Sequence, residues 1–185
     1  QEKGYTFEQR EGYQKMRKQL LSHQLDILIV KDFSRFSRRN SRGLVELEDL
    51  RHLLYLEKLT MTGRQIEDLS FLEGMTRLKH LDLSGCTISA DLSVIKNLSA
   101  LEELSLRGCS ISSLAFLEGA PSLKKLDLSR NAVGNLTVLS TIPTLQTLDL
   151  SDNAVSDLIP LMGLTELSSL DVSENVLTNI APIRN

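Results

Sequence analysis

A chain of 185 residues with 41% hydrophobic and 24% charged side chains has the make-up of a globular protein with one sizeable core or two packed modules, and not three. No apolar run approaches the roughly 20 residues that cross a bilayer, the first residues lack the layout of a signal peptide, and two cysteines are too few for a disulfide framework; no membrane association and a cytoplasmic, reducing location are expected. The net charge of -3 conceals an asymmetry, because residues 1–51 carry 11 Lys+Arg against 8 Asp+Glu whereas residues 52–185 carry 10 against 16.

Residues 1–55 do not repeat. Tyr13, Met16, Leu20 and Leu21 recur at helical spacing and predict a helix over 7–23. Ile27, Leu28, Ile29 and Val30 form a continuous apolar run that predicts a strand over 26–31 covered on both faces. Leu44, Leu47, Leu50, Leu53 and Leu54 predict a second helix over 41–54.

These elements are threaded by Gly4, Tyr5, Thr6, Phe7, then Arg10, Glu11, Gly12, Tyr13, and after the helix by Asp26 through Lys31 followed by Asp32, Phe33, Ser34, Arg35, Phe36, Ser37 and Arg38. From about Gly4 to Arg51 the string resembles part of the catalytic domain of serine recombinases, the resolvases and invertases. The resemblance implies that Ser34, Arg35 and Arg38 match the stretch beside the scissile DNA phosphate, where guanidinium groups clamp oxygens bidentately. Arg39 and Arg42 extend that cluster, which has a net charge of +4 over residues 31–42. The family's nucleophilic serine and its companion arginine lie on a strand with no match before Gly4, and phosphoryl transfer does not proceed without the nucleophile. The chain is therefore expected not to be an enzyme, unless residues upstream of Gln1 supply that strand. Three readings of the arginines stay open: a solvated loop of inherited sequence, a weak salt-dependent contact with DNA phosphates, and part of a working recombinase.

From Leu56 onward a fixed period takes over. L-x-x-L-x-L units begin at Leu56, Leu78, Leu101, Leu123, Leu145 and Leu167, at spacings of 22, 23, 22, 22 and 22. One such unit cannot bury its apolar side alone, so neighbours must stack around a shared core. Period-two geometry sends pairs such as Leu81 and Leu83 inward and Asp82 outward, giving one parallel sheet. The eighth residue after each first Leu is Arg64, Cys86, Cys109, Asn131, Asn153 and Asn175 in turn. An Asn there can turn inward to satisfy backbone groups. The cysteines read as small core substitutes, with a metal or redox pair as the alternative and no third ligand nearby; Arg64 must distort its repeat or reach solvent. The return segments, such as Ile66, Asp68, Leu69 and Leu72, are short enough only for 3₁₀ or extended structure. One extra residue near Ala90 should bulge the convex side, and Leu177, Ile180 and Ile183 end the last repeat without a polar cap.

The repeats resemble the 22-residue leucine-rich repeats of bacterial internalin-like proteins. The fold class expected is α/β, a right-handed leucine-rich-repeat solenoid of six repeats over 56–185 with a parallel concave sheet, preceded by a helix-strand-helix cap over 1–55. The concave columns are small and polar, and the candidate partner surface comprises His80, Asp82, Glu103, Arg107, Lys125, Asp127, Asp149 and Asp171. Trp is absent from the chain, so a tight partner anchored on aromatic side chains is not indicated. The Asp column reads as a solvated face bonded by its Ser neighbours, or as an attractor for a basic partner or a cation. The function expected is a non-enzymatic protein-binding scaffold with no cofactor, no bound metal and an unidentified protein partner. The alternative is a DNA-binding or recombinase derivative using the arginine cluster.

Overall fold

The structure, a computed structural model, describes residues 56–120 and 122–178, the strand backbone of Ile27–Val30, and Lys15 and Lys18, both helical and exposed. Strands β1 (Ile27–Val30), β2 (Lys58–Met61), β4 (His80–Asp82), β6 (Glu103–Ser105), β7 (Lys125–Asp127), β8 (Thr147–Asp149) and β9 (Ser169–Asp171) lie side by side in that order, all parallel. Two further short strands, β3 (Gln65–Ile66) and β5 (Thr87–Ile88), pair in parallel where the chain leaves the sheet. The same exit pairing runs on in later repeats through single bonds, Ala132 N to Ile111 O, Ala154 N to Val133 O and Val176 N to Val155 O.

The sheet includes the strand that precedes the repeats. β1 pairs with β2 in the register Ile27 to Lys58 through Val30 to Met61, so it continues the repeat sheet instead of lying across its end. The helices expected over 7–23 and 41–54 fall outside the described residues except at Lys15 and Lys18.

Each turn of the solenoid is built alike. In the first five units the first, fourth and sixth residues, as in Leu123, Leu126 and Leu128, are buried, whereas Leu167, Leu170 and Val172 of the last are half-buried. The return-segment residues Val133, Leu136 and Leu139 are buried as well. Burying one such side chain contributes about 1.5–3 kcal/mol, and the stack shares one continuous core from Leu56 to Leu164. Phe71 and Phe116 occupy the same place in their repeats and fill the convex side there.

The convex turns are 3₁₀ segments at Ser70–Leu72, Leu92–Asn97, Ala115–Leu117, Thr137–Thr141 and Ile159–Leu161. The longest follows the extra residue of the second repeat, as its length requires. A short polar side chain of the return motif precedes each of these turns: Asp68 accepts from Ser70 N at 2.7 Å, Asp91 from Ser93 N at 2.9 Å, Asn135 from Thr137 N at 2.9 Å and Asp157 from Ile159 N at 2.9 Å, and Ser113 Oγ lies 3.5 Å from Ala115 N. A short polar side chain that bonds the backbone two residues on favours a turn over a continued strand.

Leaving the sheet demands a left-handed residue just before the eighth position. Gly63, Gly85 and Gly108 supply it in the first three repeats, at φ 65, 68 and 64°, and Arg130, Asp152 and Glu174 in the last three, at φ 57, 57 and 53°. At the eighth position itself, Asn153 accepts from Val133 N at 2.8 Å and donates to the carbonyls of Leu128, Leu150 and Ser151. Asn131 and Asn175 are bonded in the same manner.

The cysteines take over half of that role. Cys109 Sγ donates to Leu83 O at 3.1 Å, and Cys86 Sγ to Met61 O at 3.1 Å while accepting from Arg64 N at 3.4 Å. Both are free and buried. Burial raises both thiol pKa values, that of Cys109 to about 11, so the thiols stay protonated and remain donors. Arg64 is half-buried at the first rung. Leu177 is half-buried, and Ile180 and Ile183 lie outside the described residues.

Candidate partner-binding surface

The concave sheet bounds a groove of about 430 Å³ whose walls come from five adjacent strands, β2, β4, β6, β7 and β8. It brings together His80, Asp82, Glu103, Lys125, Asp127 and Asp149 with Lys58, Thr60, Ser105 and Thr147. Arg107 and Asp171 lie beyond these walls. Arg107 sits farther along its chain and donates to Ser129 Oγ at 3.0 Å, and Asp171 is on the last described strand. Ser34, Arg35, Arg38, Arg39 and Arg42 lie outside the described residues, so the candidate DNA contact is neither assembled nor dispersed here.

Glu103 is the hub of the groove's charge. Its Oε1 accepts from Lys125 Nζ at 2.6 Å, and its Oε2 lies 2.9 Å from Nδ1 of His80, an atom shielded from solvent. The Lys125 hydrogen bond, and then His80, hold the Glu103 carboxyl below its usual range, and the same bond raises Lys125. Register explains the cluster, because His80, Glu103 and Lys125 are direct partners on consecutive strands, and the opposite charges of Glu103 and Lys125 attract at such spacing.

The Asp column is fastened from within. Asp127 Oδ1 accepts both Ser129 N at 2.9 Å and Ser129 Oγ at 2.7 Å; Asp149 with Ser151 and Asp171 with Ser173 repeat the arrangement. The Ser173 bonds hold the Asp171 carboxyl below its usual range. These bonds fix the carboxylates in orientation.

The sequence columns missed one set of contacts. Glu57 pairs with Lys79 at 3.0 Å and Glu102 with Lys124 at 3.2 Å along the entry rim. The signal was present as alternating charge at the second residue of the first four units, Glu57, Lys79, Glu102 and Lys124, next to the outward-facing columns. Among the described residues no cluster of three metal-ligating side chains occurs, and no helix is long and apolar enough to cross a membrane.

Comparison with known proteins places the repeats. Residues 99–141 and 143–185 match the family of Leucine Rich repeats (2 copies), and residues 77–98 match the Leucine Rich Repeat family. The repeat region is therefore a leucine-rich-repeat solenoid. Among solved structures it is similar to internalin C2 of Listeria monocytogenes, at 27% identity and TM-score 0.67 over 75% of this chain and 70% of that one. It is also similar to a second internalin of Listeria monocytogenes, at 27% identity and TM-score 0.58 over 72% of this chain and 46% of that one. A leucine-rich-repeat protein of Leptospira interrogans matches at 26% identity and TM-score 0.57, over 71% of this chain and 41% of that one. The chain thus spans less than half the length of the latter two. No curated protein sequence matches the chain.

Proposed function

We propose that the chain is a non-enzymatic scaffold that binds a protein partner along its concave sheet. The observation that carries this reading is the groove across β2, β4, β6, β7 and β8, where polar side chains from five repeats converge on one continuous face. Internalin-like neighbours and the leucine-rich repeats themselves support it. The groove has a hydrogen-bonded floor and no aromatic anchor among its lining residues, which favours moderate affinity for an extended, polar segment over a tight hydrophobic contact.

Random-peptide display on the immobilised chain tests the face. Thr60→Gln and Thr147→Gln narrow the groove without changing its charge, and Thr165→Gln makes the same chemical change at an exposed site outside it. Enriched peptides should lose binding to the first two variants and keep binding to the third. Enriched peptides that bind all three variants equally would move the site off the concave face.

A further inference from the structure

We propose that His80 is the pH-responsive contact of the groove: its outward Nε2 accepts a hydrogen bond from an N–H of the bound segment at neutral pH and repels the same donor once protonated. This rests on the concave face being the binding face. His80 lines the groove from β4, the second of its five strands. Its Nδ1 lies 2.9 Å from Glu103 Oε2 and is shielded from solvent, while 35% of the side chain stays exposed. With the Nδ1 side of the ring covered, the exposed part is the opposite edge, which carries Nε2.

A neutral imidazole carries one ring hydrogen, and its other nitrogen is an acceptor. At 2.9 Å from a carboxylate oxygen, a bare Nδ1 lone pair would face negative charge with no water between to relieve it, whereas an Nδ1–H dipole is attracted. Glu103 therefore keeps the hydrogen on Nδ1 and leaves Nε2 as the acceptor, the reverse of the tautomer favoured in water. The neighbour of one ring nitrogen thus decides what the other can do. Lys125 Nζ occupies the other Glu103 oxygen at 2.6 Å, and that hydrogen bond holds the carboxyl below its usual range, so Glu103 stays ionised while an imidazole titrates. The other charged groups around the ring, among the described residues, are Lys58, its register partner on β2, Asp82 on its own strand, and the Glu57 and Lys79 pair on the rim. Imidazole is the side chain that ordinarily changes charge between about pH 5 and 8. A proton added on Nε2 turns the acceptor into a donor and places a second cation next to Lys58.

The first test needs no partner. Long-range proton–nitrogen NMR of the full chain from about pH 5 to 8 reports the tautomer of its three histidines, His23, His52 and His80, and the signals lost in His80→Gln assign the ring. Neutral His80 should be the Nδ1–H form, should stay so in Lys125→Met, and should revert to Nε2–H in Glu103→Ala. An Nε2–H form in the parent, or an Nδ1–H form that survives Glu103→Ala, overturns the proposal.

The second test uses peptides enriched on the immobilised chain at about pH 8 from a display library without His, Asp or Glu, so that the pH response belongs to the chain. Their affinity should fall about fivefold or more at about pH 5 in the parent and stay nearly level in His80→Gln. No fall in the parent, or an equal fall in the variant, overturns the role of His80. Failure of the scaffold reading looks different. Enriched peptides that ignore Thr60→Gln and Thr147→Gln remove the groove as the binding face and His80 with it, whereas peptides sensitive to both variants but not to pH overturn the role of His80 alone.

Discussion

Removing the amide of Asn131 should be among the most costly single changes in the repeats. Its Oδ1 accepts from Cys109 N at 3.0 Å and Ile111 N at 2.8 Å, and its Nδ2 donates to Leu106 O at 2.9 Å, Leu128 O at 2.8 Å and Ser129 O at 3.2 Å. Asn131→Ala strands two amide donors and weakens three acceptors next to fully buried leucines. Leaving one buried polar group unsatisfied costs about 1–3 kcal/mol. Water entering the half-buried site offsets part of this, so the expected loss is about 3 kcal/mol, or roughly 6–12 °C in Tm for a chain of this size. Asn131→Cys should recover part of it, because Cys109 and Cys86 show a thiol reaching the preceding repeat's carbonyl from this rung. Urea unfolding followed by circular dichroism, with a second probe to check coincidence of transitions, measures both. A loss below about 1 kcal/mol for Asn131→Ala, or a Cys variant no better than Ala, would refute the view that the inward amides hold the turns together.

The buried thiols give a pH dependence. Cys109 is raised from 9.0 to about 11 in the folded chain, so between those values the folded state holds a proton that the unfolded state has released. Stability from this thiol is full below pH 9.0 and falls as pH rises through about 11; unfolding curves across that window should shift to lower urea, and a flat profile would contradict the assignment. At Gly85, φ is 68° and a Cβ would meet only ordinary contacts at 3.8 Å. Gly85→Ala should therefore cost about 1 kcal/mol, the left-handed backbone penalty alone, and a much larger loss would mean steric conflict. For the DNA alternative, salt-titrated binding of the full chain should be weak and should vanish in Arg35→Ala/Arg38→Ala; binding that is negligible or unchanged removes that reading.

The period made the repeat fold legible, because each inward Leu is one copy of a pattern shown six times. The groove was legible only in part. The strand columns nominated His80, Glu103 and Lys125, but the approach of Glu103 to both neighbours, 2.6 Å from Lys125 and 2.9 Å from His80, depends on side-chain reach across strands, which spacing does not encode. The Asp–Ser bonds follow from residues two apart and were legible as a local pattern. The left-handed exit position was hidden in the last three repeats, where Arg130, Asp152 and Glu174 replace the glycines that mark it earlier. The pairing of β1 stayed open for a different reason: a strand outside the repeat carries no periodic register to align it with β2.

That pairing bears on why a non-repeating segment stands before the solenoid at all. A first repeat presents an unpaired strand edge and the apolar end of its core, a template for aggregation unless something covers it. β1 occupies the edge of β2 along its whole length, Ile27 to Lys58 through Val30 to Met61, directly beside the buried Leu56, Leu59 and Met61. We propose that residues 1–55 serve as the N-terminal cap, whatever chemistry their arginines retain. Deleting residues 1–50 removes β1 and should lower Tm and produce concentration-dependent association, measured by calorimetry and sedimentation. Arg35→Ala/Arg38→Ala should do neither, since substituting the two arginines leaves the strand in place. A truncated chain that stayed monomeric and as stable as its parent would show that the edge of β2 needs no cover, and would return the segment to its arginines for an explanation.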